Sequence, residues 1–526
     1  MKSYDLIVIG SGPAGEQAAS LAAFFGKSVA IIEREVVPGG TCTNTGTIPS
    51  KTLRESALIL SGVKQRGMHN VDMSLRPNIT VSDFMYRKRE VVEKEWDLIE
   101  DNLRAHNVDR YRGIARFGAP HAVIVDTSGY DEVLEGDVIL IATGSRPHRP
   151  STIPFDDNCI CDSDSILNID RIPRTLAVVG AGVIGCEYAS IFAALGVEVT
   201  LIDGRTELLG NIDREIVDML MRQMRNRWRI QLQLGQGVDS ITVDGEQTLL
   251  KLKNGRELKP DKVLYAAGRQ SNTDELDLNT VGVKTGERGI IAVNDNFQTN
   301  VPYIYAAGDV IGFPALASTS MEQGRSAVVH AFDLDYKAKL ASLLPYGIYT
   351  IPEISMIGLT EEDCLKRDMN YEVGRAYYRN NARGQIIGDT AGMIKIVFNP
   401  DDHKLIGVHL IGENASDLIH VGMITMQLGG TLETFIHSVF NYPTLGDIYK
   451  YAAYDGLNRL KRVQSRRKDD RPNVTSNGDK VNGVVNGASA DGKAADGGAA
   501  TSVDTPTAAN VAMAQNAPVQ PAQPKA

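Results

Sequence analysis

Cysteine is scarce in this chain. Its 526 residues contain five, at positions 42, 159, 161, 186 and 364. An odd, scattered set makes a poor disulfide framework and suits a reducing compartment. No apolar run approaches the roughly 20 residues that span a bilayer, so no membrane association is expected. Cationic excess is missing as well. The 55 Lys and Arg stand against 65 Asp and Glu, and a net charge of −10 argues against a nucleic-acid surface. Aromatic residues and cysteine are both absent from residues 465–526, where Ala, Gly, Asn, Asp and Pro dominate. Such a composition cannot bury enough apolar surface to offset its ordering entropy, so residues 464–526 are expected to be a disordered tail. The basic run from Lys461 to Lys468, which spans the start of that tail, reads as a solvated helix end. The first strand is expected near Tyr4, which leaves no room for a signal peptide and makes the cytoplasm the expected location.

Hydrophobic content of 43% and charged content of 23% are ordinary for a globular protein, and the length suits about three domains. Cys159 and Cys161 alternate with Ile160, so on a strand they would share a face. With no His cluster nearby, no metal is expected there, and the two read as buried small apolar side chains.

One unit occurs twice, offset by 170 residues (Gly10 to Gly180). The first copy is an apolar strand through Leu6-Ile7-Val8-Ile9, then Gly10-Ser11-Gly12-Pro13-Ala14-Gly15, an Ala-rich helix, and a strand ending in Glu33. The second is Leu176-Ala177-Val178-Val179, then Gly180-Ala181-Gly182-Val183-Ile184-Gly185, a helix, and a strand ending in Asp203. Strand, Gly-x-Gly-x-x-Gly, helix, strand and terminal carboxylate make a dinucleotide-binding βαβ unit. Gly10 and Gly180 form the tight turn, Gly12 and Gly182 let the backbone approach a pyrophosphate, and Gly15 and Gly185 bring the helix onto the strand. The helix N-terminus offers free N–H groups and a positive dipole end to phosphates. Glu33 and Asp203 fall where a carboxylate accepts from the adenosine ribose. Two complete units imply two bound dinucleotides. Three further strands end in small-residue turns, at Ala142-Thr143-Gly144, Ala267-Gly268-Arg269 and Ala307-Gly308-Asp309. Asp309 sits at a strand's carboxyl end, where open α/β sheets bind ligands.

On these residues, from about Tyr4 to Leu460, the chain resembles the two-dinucleotide-fold flavoproteins, the family of lipoamide dehydrogenase and glutathione reductase. The resemblance implies an α/β fold of two Rossmann-like domains plus a C-terminal α+β dimerisation domain. Residues 1–150 would begin the FAD domain, 151–272 would form an inserted NAD(P) domain, 273–344 would complete the FAD domain, and 345–463 would dimerise. It assigns FAD to Gly10, Gly12, Pro13, Ala14, Gly15, Glu33, Arg34, Gly40, Thr41, Cys42, Lys51, Thr143, Gly144, Asp309 and Ala317. It assigns NAD(P) to Gly180, Gly182, Val183, Ile184, Gly185, Glu187, Asp203, Arg205 and Gly268. The segment Pro314 to Thr319 would start a helix whose positive end faces the flavin and stabilises negative charge on its reduced form.

The departures from the family carry more information than the matches. The segment Gly39 to Lys51 reads like the family's active-site helix, but Thr47 stands where a second cysteine would pair with Cys42. A family His-Pro-Thr-x-x-Glu motif becomes Tyr442-Pro443-Thr444-Leu445-Gly446-Asp447. The dithiol and its acid–base partner are absent together. Within the family this combination is similar to the soluble, Si-specific pyridine nucleotide transhydrogenase branch. That branch implies NADPH + NAD+ ⇌ NADP+ + NADH with FAD tightly bound, ping-pong kinetics through flavin N5, and a homodimer or larger homo-oligomer.

Thr47, Lys51 and Glu187 are the expected catalytic residues. Lys51 and Glu187 would pair beside the flavin, and Cys42 would touch the cofactor without a catalytic role. Asp203 poses a difficulty, since a carboxylate there favours NAD(H) and repels a 2′-phosphate. The expectation is that Arg205 pairs with that phosphate. Three alternatives stay open on sequence: a flavin oxidase or diaphorase, a dihydrolipoyl-type disulfide reductase, and a catalytically inert nucleotide sensor or assembly subunit.

Overall fold

The computed structural model describes residues 2–61, 80–245, 247–336 and 343–469. Strand Lys2–Ile9 alternates its side chains between two apolar clusters, Leu6 and Val8 in one, Ile7 and Ile9 in the other. A strand apolar on both faces must be covered on both, as in the interior of a parallel sheet. Val29–Glu33 and Asp131–Ile141 flank it in parallel, and Ile304–Ala306 returns late in the chain to pair with Asp131–Ile141. Asp109–Arg112 and the antiparallel strands Ile114–Ala119 and Ala122–Asp126 complete a 7-stranded sheet. Helices Pro13–Phe24 and Ala317–Ala331 pack together on one of its faces.

The second sheet repeats this design. Thr175–Val179 sits between Glu198–Asp203 and Lys262–Tyr265, with Gln231–Leu234 and Ile160–Cys161 at the edges, all parallel. Leu176 and Val178 face one cluster while Ala177 and Val179 face the other. A ribbon of Ser145–Pro147 against Arg269–Ser271 carries the chain into this region and back. The third unit is an antiparallel sheet in the order Tyr346–Ile348, Ile354–Gly358, Leu405–Ile411, Met393–Phe398, Glu372–Tyr377. Helices Ala415–Gln427, Leu432–His437 and Ile448–Asp469 accompany it. The fold class is therefore the α/β arrangement of two dinucleotide folds with an α+β third domain.

Three expectations need correction. The segment from Gly39 is two helices, Gly40–Asn44 and Thr47–Leu60, because the chain breaks at Thr45 and Gly46, where Gly46 takes φ −116 and ψ −103. Cys159 and Cys161 are both buried but do not share a face. The strand begins only at Ile160, and Cys159 packs with Ile160 in one cluster while Cys161 packs in the other. The last helix continues to Asp469, past the expected boundary at 464. The rest of the expected tail, 470–526, lies outside the described residues.

Candidate functional site

Both glycine-rich turns have the geometry their spacing requires. Gly10 and Gly180 take φ +104 and +108. A Cβ at Gly15 would lie 1.9 Å from the Gly10 carbonyl oxygen, and one at Gly185 would lie 1.8 Å from that of Gly180. Only glycine lets these helices seat so close to their turns. Helices Pro13–Phe24, Val183–Ala194 and Ala317–Ala331 have no side-chain cap. By contrast, Thr80 and Asp213 cap the helices Val81–Ala105 and Arg214–Asn226. Uncapped N–H groups at a positive dipole end are ready anion sites.

The first and third of these uncapped ends open into one cavity of about 1270 Å³. Gly10, Gly12, Pro13, Ala14, Glu33, Arg34, Gly40, Thr41, Cys42, Thr47, Lys51, Thr143, Gly144, Asp309 and Ala317 all line it. From the second unit, Val183, Ile184 and Glu187 reach the same cavity. Gly15 lies behind its turn. Gly180, Gly182, Gly185, Asp203, Arg205 and Gly268 lie outside it, at the carboxyl edge of the second sheet or just beyond. A Cβ at Gly182 would meet nothing within 4 Å, so that backbone is open to approach. The donor set fits a dinucleotide cofactor in the cavity and a second dinucleotide across the second turn.

Where the two units meet, Lys51 Nζ lies 2.7 Å from Glu187 Oε2. Lys51 is one turn after Thr47 on the helix Thr47–Leu60, and Glu187 is buried on Val183–Ala194. The other Glu187 oxygen accepts the Tyr349 backbone N–H at 2.8 Å, and the Tyr349 ring lies 4.8 Å from Lys51 Nζ. Three elements distant in sequence thus fix one ammonium in the cavity wall. Burial pushes the Cys42 thiol above its ordinary value, and a hydrogen bond with Thr47 pulls partly against it. A neutral thiol beside a hydroxyl is what position 47 leaves.

Several lining residues had weaker signals in the sequence. The Ser11 N–H and hydroxyl both donate to Glu33 Oε2, at 3.0 and 2.6 Å. The Ser145 hydroxyl donates to Asp309 Oδ2 at 2.8 Å and accepts from Arg269 Nε at 2.7 Å. Both follow small-residue turns and were open to inference from them. Tyr349 gave no signal at all, because it comes from the third domain and reaches Glu187 only through the fold. Tyr442 is exposed and does not line the cavity. Asp447 is buried and accepts from Asn381 Nδ2 at 2.6 Å. Burial raises its carboxyl above the usual range, against the pull of Asn381.

These two dinucleotide folds, joined at a Lys–Glu pair, define a class of nucleotide-handling oxidoreductase. Residues 4–324 match the pyridine nucleotide-disulphide oxidoreductase family, residues 344–453 match its dimerisation domain, and the chain belongs to that family. It is 45% identical over 470 residues to the soluble pyridine nucleotide transhydrogenase of Mycobacterium tuberculosis (strain ATCC 25177 / H37Ra), covering 89% of this chain and 100% of that one. The soluble pyridine nucleotide transhydrogenase of Chromohalobacter salexigens is 42% identical, covering 87% and 99%. Among solved structures, the HOCl-induced flavoprotein disulfide reductase RclA from Escherichia coli superposes with a TM-score of 0.77 at 26% identity, covering 86% and 99%. LpdA from Mycobacterium tuberculosis gives 0.79 at 25% identity, with the same coverage.

Proposed function

We propose that this chain is an FAD-dependent, Si-specific NAD(P)+ transhydrogenase catalysing NADPH + NAD+ ⇌ NADP+ + NADH without a redox disulfide. The single observation that carries the reading is the Lys51–Glu187 pair set in the cavity wall one helical turn from a threonine. The relatives at 41–45% identity support the general activity. FAD would be held by the first glycine-rich turn, Glu33, the Gly40–Cys42 segment, Thr143, Gly144, Asp309 and Ala317, and would supply hydride acceptance and donation.

The chain's own residues do the rest. The uncapped end of Ala317–Ala331 and the Lys51 ammonium favour negative charge in the cavity. Glu187 and the Tyr349 N–H hold Lys51 in place. Val183 and Ile184 bring the second nucleotide's site to the same cavity wall, so NADPH and NAD+ occupy one nicotinamide place in turn, which implies ping-pong kinetics. Thr47 leaves Cys42 without a disulfide partner, so electrons have no route to a thiol. Residues 1–150 and 273–344 would make the FAD domain, 151–272 the NAD(P) domain, and 345–463 the dimerisation domain of a homodimer. Among the described residues no helix is long and apolar enough to cross a membrane, and we place the enzyme in the cytoplasm.

Initial rates at varied NADPH and NAD+ test this reading. Parallel double-reciprocal lines are expected, with no turnover of lipoamide or glutathione disulfide. Intersecting lines would remove the ping-pong reading, and disulfide turnover would remove the thiol-free one.

A further inference from the structure

The two strand-end carboxylates are held in parallel ways that differ at one partner. Glu33 accepts the Ser11 N–H (3.0 Å), the Ser11 hydroxyl (2.6 Å) and the Glu35 N–H (2.9 Å). Asp203 accepts the equivalent backbone groups, Ala181 N–H at 2.7 Å and Arg205 N–H at 2.8 Å. Ala181 has no hydroxyl to offer. The Arg205 side chain fills that role with a fork, Nε to Oδ1 at 3.0 Å and Nη2 to Oδ2 at 2.8 Å.

These four hydrogen bonds use the roughly four acceptor sites of a carboxylate. In this arrangement Asp203 has none left for a ribose hydroxyl, although its position is the one where NAD(H) is read. Asp203 is buried, whereas the Arg205 side chain is 64% exposed. An ion pair with so exposed a cation is worth little net, so it opens at small cost.

We propose that Arg205 is a latch on Asp203 that lets one adenosine-ribose subsite accept both NADP(H) and NAD(H). With the latch closed, the guanidinium cancels the Asp203 charge and keeps its Nη1 hydrogens for a 2′-phosphate. With the latch open, Asp203 regains acceptor sites for the 2′-hydroxyl of NAD(H). A lysine could not do this, because an ammonium is a point donor and cannot hold both carboxylate oxygens in a fork. The inference rests on the reading that both nucleotides use the second unit, and it adds how that unit reads them.

The test is calorimetric titration of the FAD-loaded enzyme with 2′,5′-ADP and 5′-AMP. These fragments carry no nicotinamide, so their binding is independent of hydride transfer. Arg205→Ala is expected to raise the Kd for 2′,5′-ADP by about tenfold to a hundredfold, while the Kd for 5′-AMP holds or falls because Asp203 is uncovered. Arg205→Lys should give a smaller loss for 2′,5′-ADP than alanine does. Asp203→Asn should weaken 5′-AMP and spare 2′,5′-ADP. An Arg205→Ala enzyme that loses both fragments equally, or neither, overturns the latch. If transhydrogenation fails while the fragments separate as described, the latch stands and the proposed reaction falls. If transhydrogenation holds while Arg205→Ala treats both fragments alike, the latch falls alone.

Discussion

The first and second dinucleotide units share strand, turn, helix and terminal carboxylate, yet their carboxylates are held by different partners. In the first, Ser11 and Glu33 form a hydrogen-bonded pair, and Gly10 to Ala14 line the large cavity. In the second, Ala181 and Arg205 replace Ser11 and Glu35, and the carboxylate carries an exposed, charged partner. From the second glycine-rich helix, Val183, Ile184, Glu187 and Tyr188 line the cavity. On the proposed function, one backbone design serves a resident cofactor in the first unit and an exchanging substrate in the second. Rigid, neutral donors suit the resident, and an exposed ion pair suits the traveller.

Spoiling one unit at a time should separate their roles most sharply. Gly15→Ala puts a Cβ 1.9 Å from a backbone oxygen, and Gly185→Ala one at 1.8 Å. Each should cost several kcal/mol locally. Gly15→Ala should yield protein without flavin, read from the absorbance per chain. Gly185→Ala should stay yellow but resist reduction by either nucleotide. Equal loss of flavin from both would erase the division of labour.

At the junction of the units, Lys51→Met should slow flavin reduction by NADPH by about 10² to 10³-fold, the range for one preorganised electrostatic donor. Stopped-flow absorbance measures it. Glu187→Gln should have a smaller effect of the same sign, because the Tyr349 N–H can still be accepted by an amide oxygen.

A finer distinction concerns Ser11. Ser11→Ala removes one charge-assisted bond to Glu33 and should weaken FAD by about 1.5–3 kcal/mol, with little change in binding of nucleotide fragments to the second unit. Fluorescence titration of apoprotein with FAD would show it.

The smallest effects are expected at Cys42. Because burial raises its pKa, less thiolate is present at any given pH. Its iodoacetamide labelling should be slow and still climbing where an ordinary thiol has levelled off. Thr47→Cys restores the family spacing, but Tyr442 is no histidine and Asp447 is tied to Asn381. Disulfide substrates should therefore remain at background turnover.

Much of this was legible in the sequence for a physical reason. A glycine-rich turn is local, and its demands on φ and close approach fall on a few adjacent residues, so Gly10, Gly15, Gly180 and Gly185 could be read directly. Pairing of Lys51 with Glu187, 136 residues apart, needed the family resemblance. The break at Thr45 and Gly46 was hidden because the segment resembles one continuous helix. Tyr349 was invisible because a backbone N–H has no sequence signature and arrives from another domain. The opposite faces of Cys159 and Cys161 depended on where a strand begins, which alternation alone does not fix. Asp203 was located correctly as a strand-end carboxylate. Its capping by Arg205 required coordinates, since a neighbouring arginine can equally well face solvent.

In the proposed reaction hydride passes between two nicotinamide nucleotides through one place, with no thiol between. Anaerobic sequential mixing tests it most directly: NADPH is added to the oxidised holoenzyme until the flavin bleaches, NADP+ and residual NADPH are removed, and NAD+ is added. Flavin absorbance is expected to return while NADH appears in equal amount. Flavin that stays bleached in NAD+ but recovers with oxidised lipoamide or glutathione disulfide would contradict it.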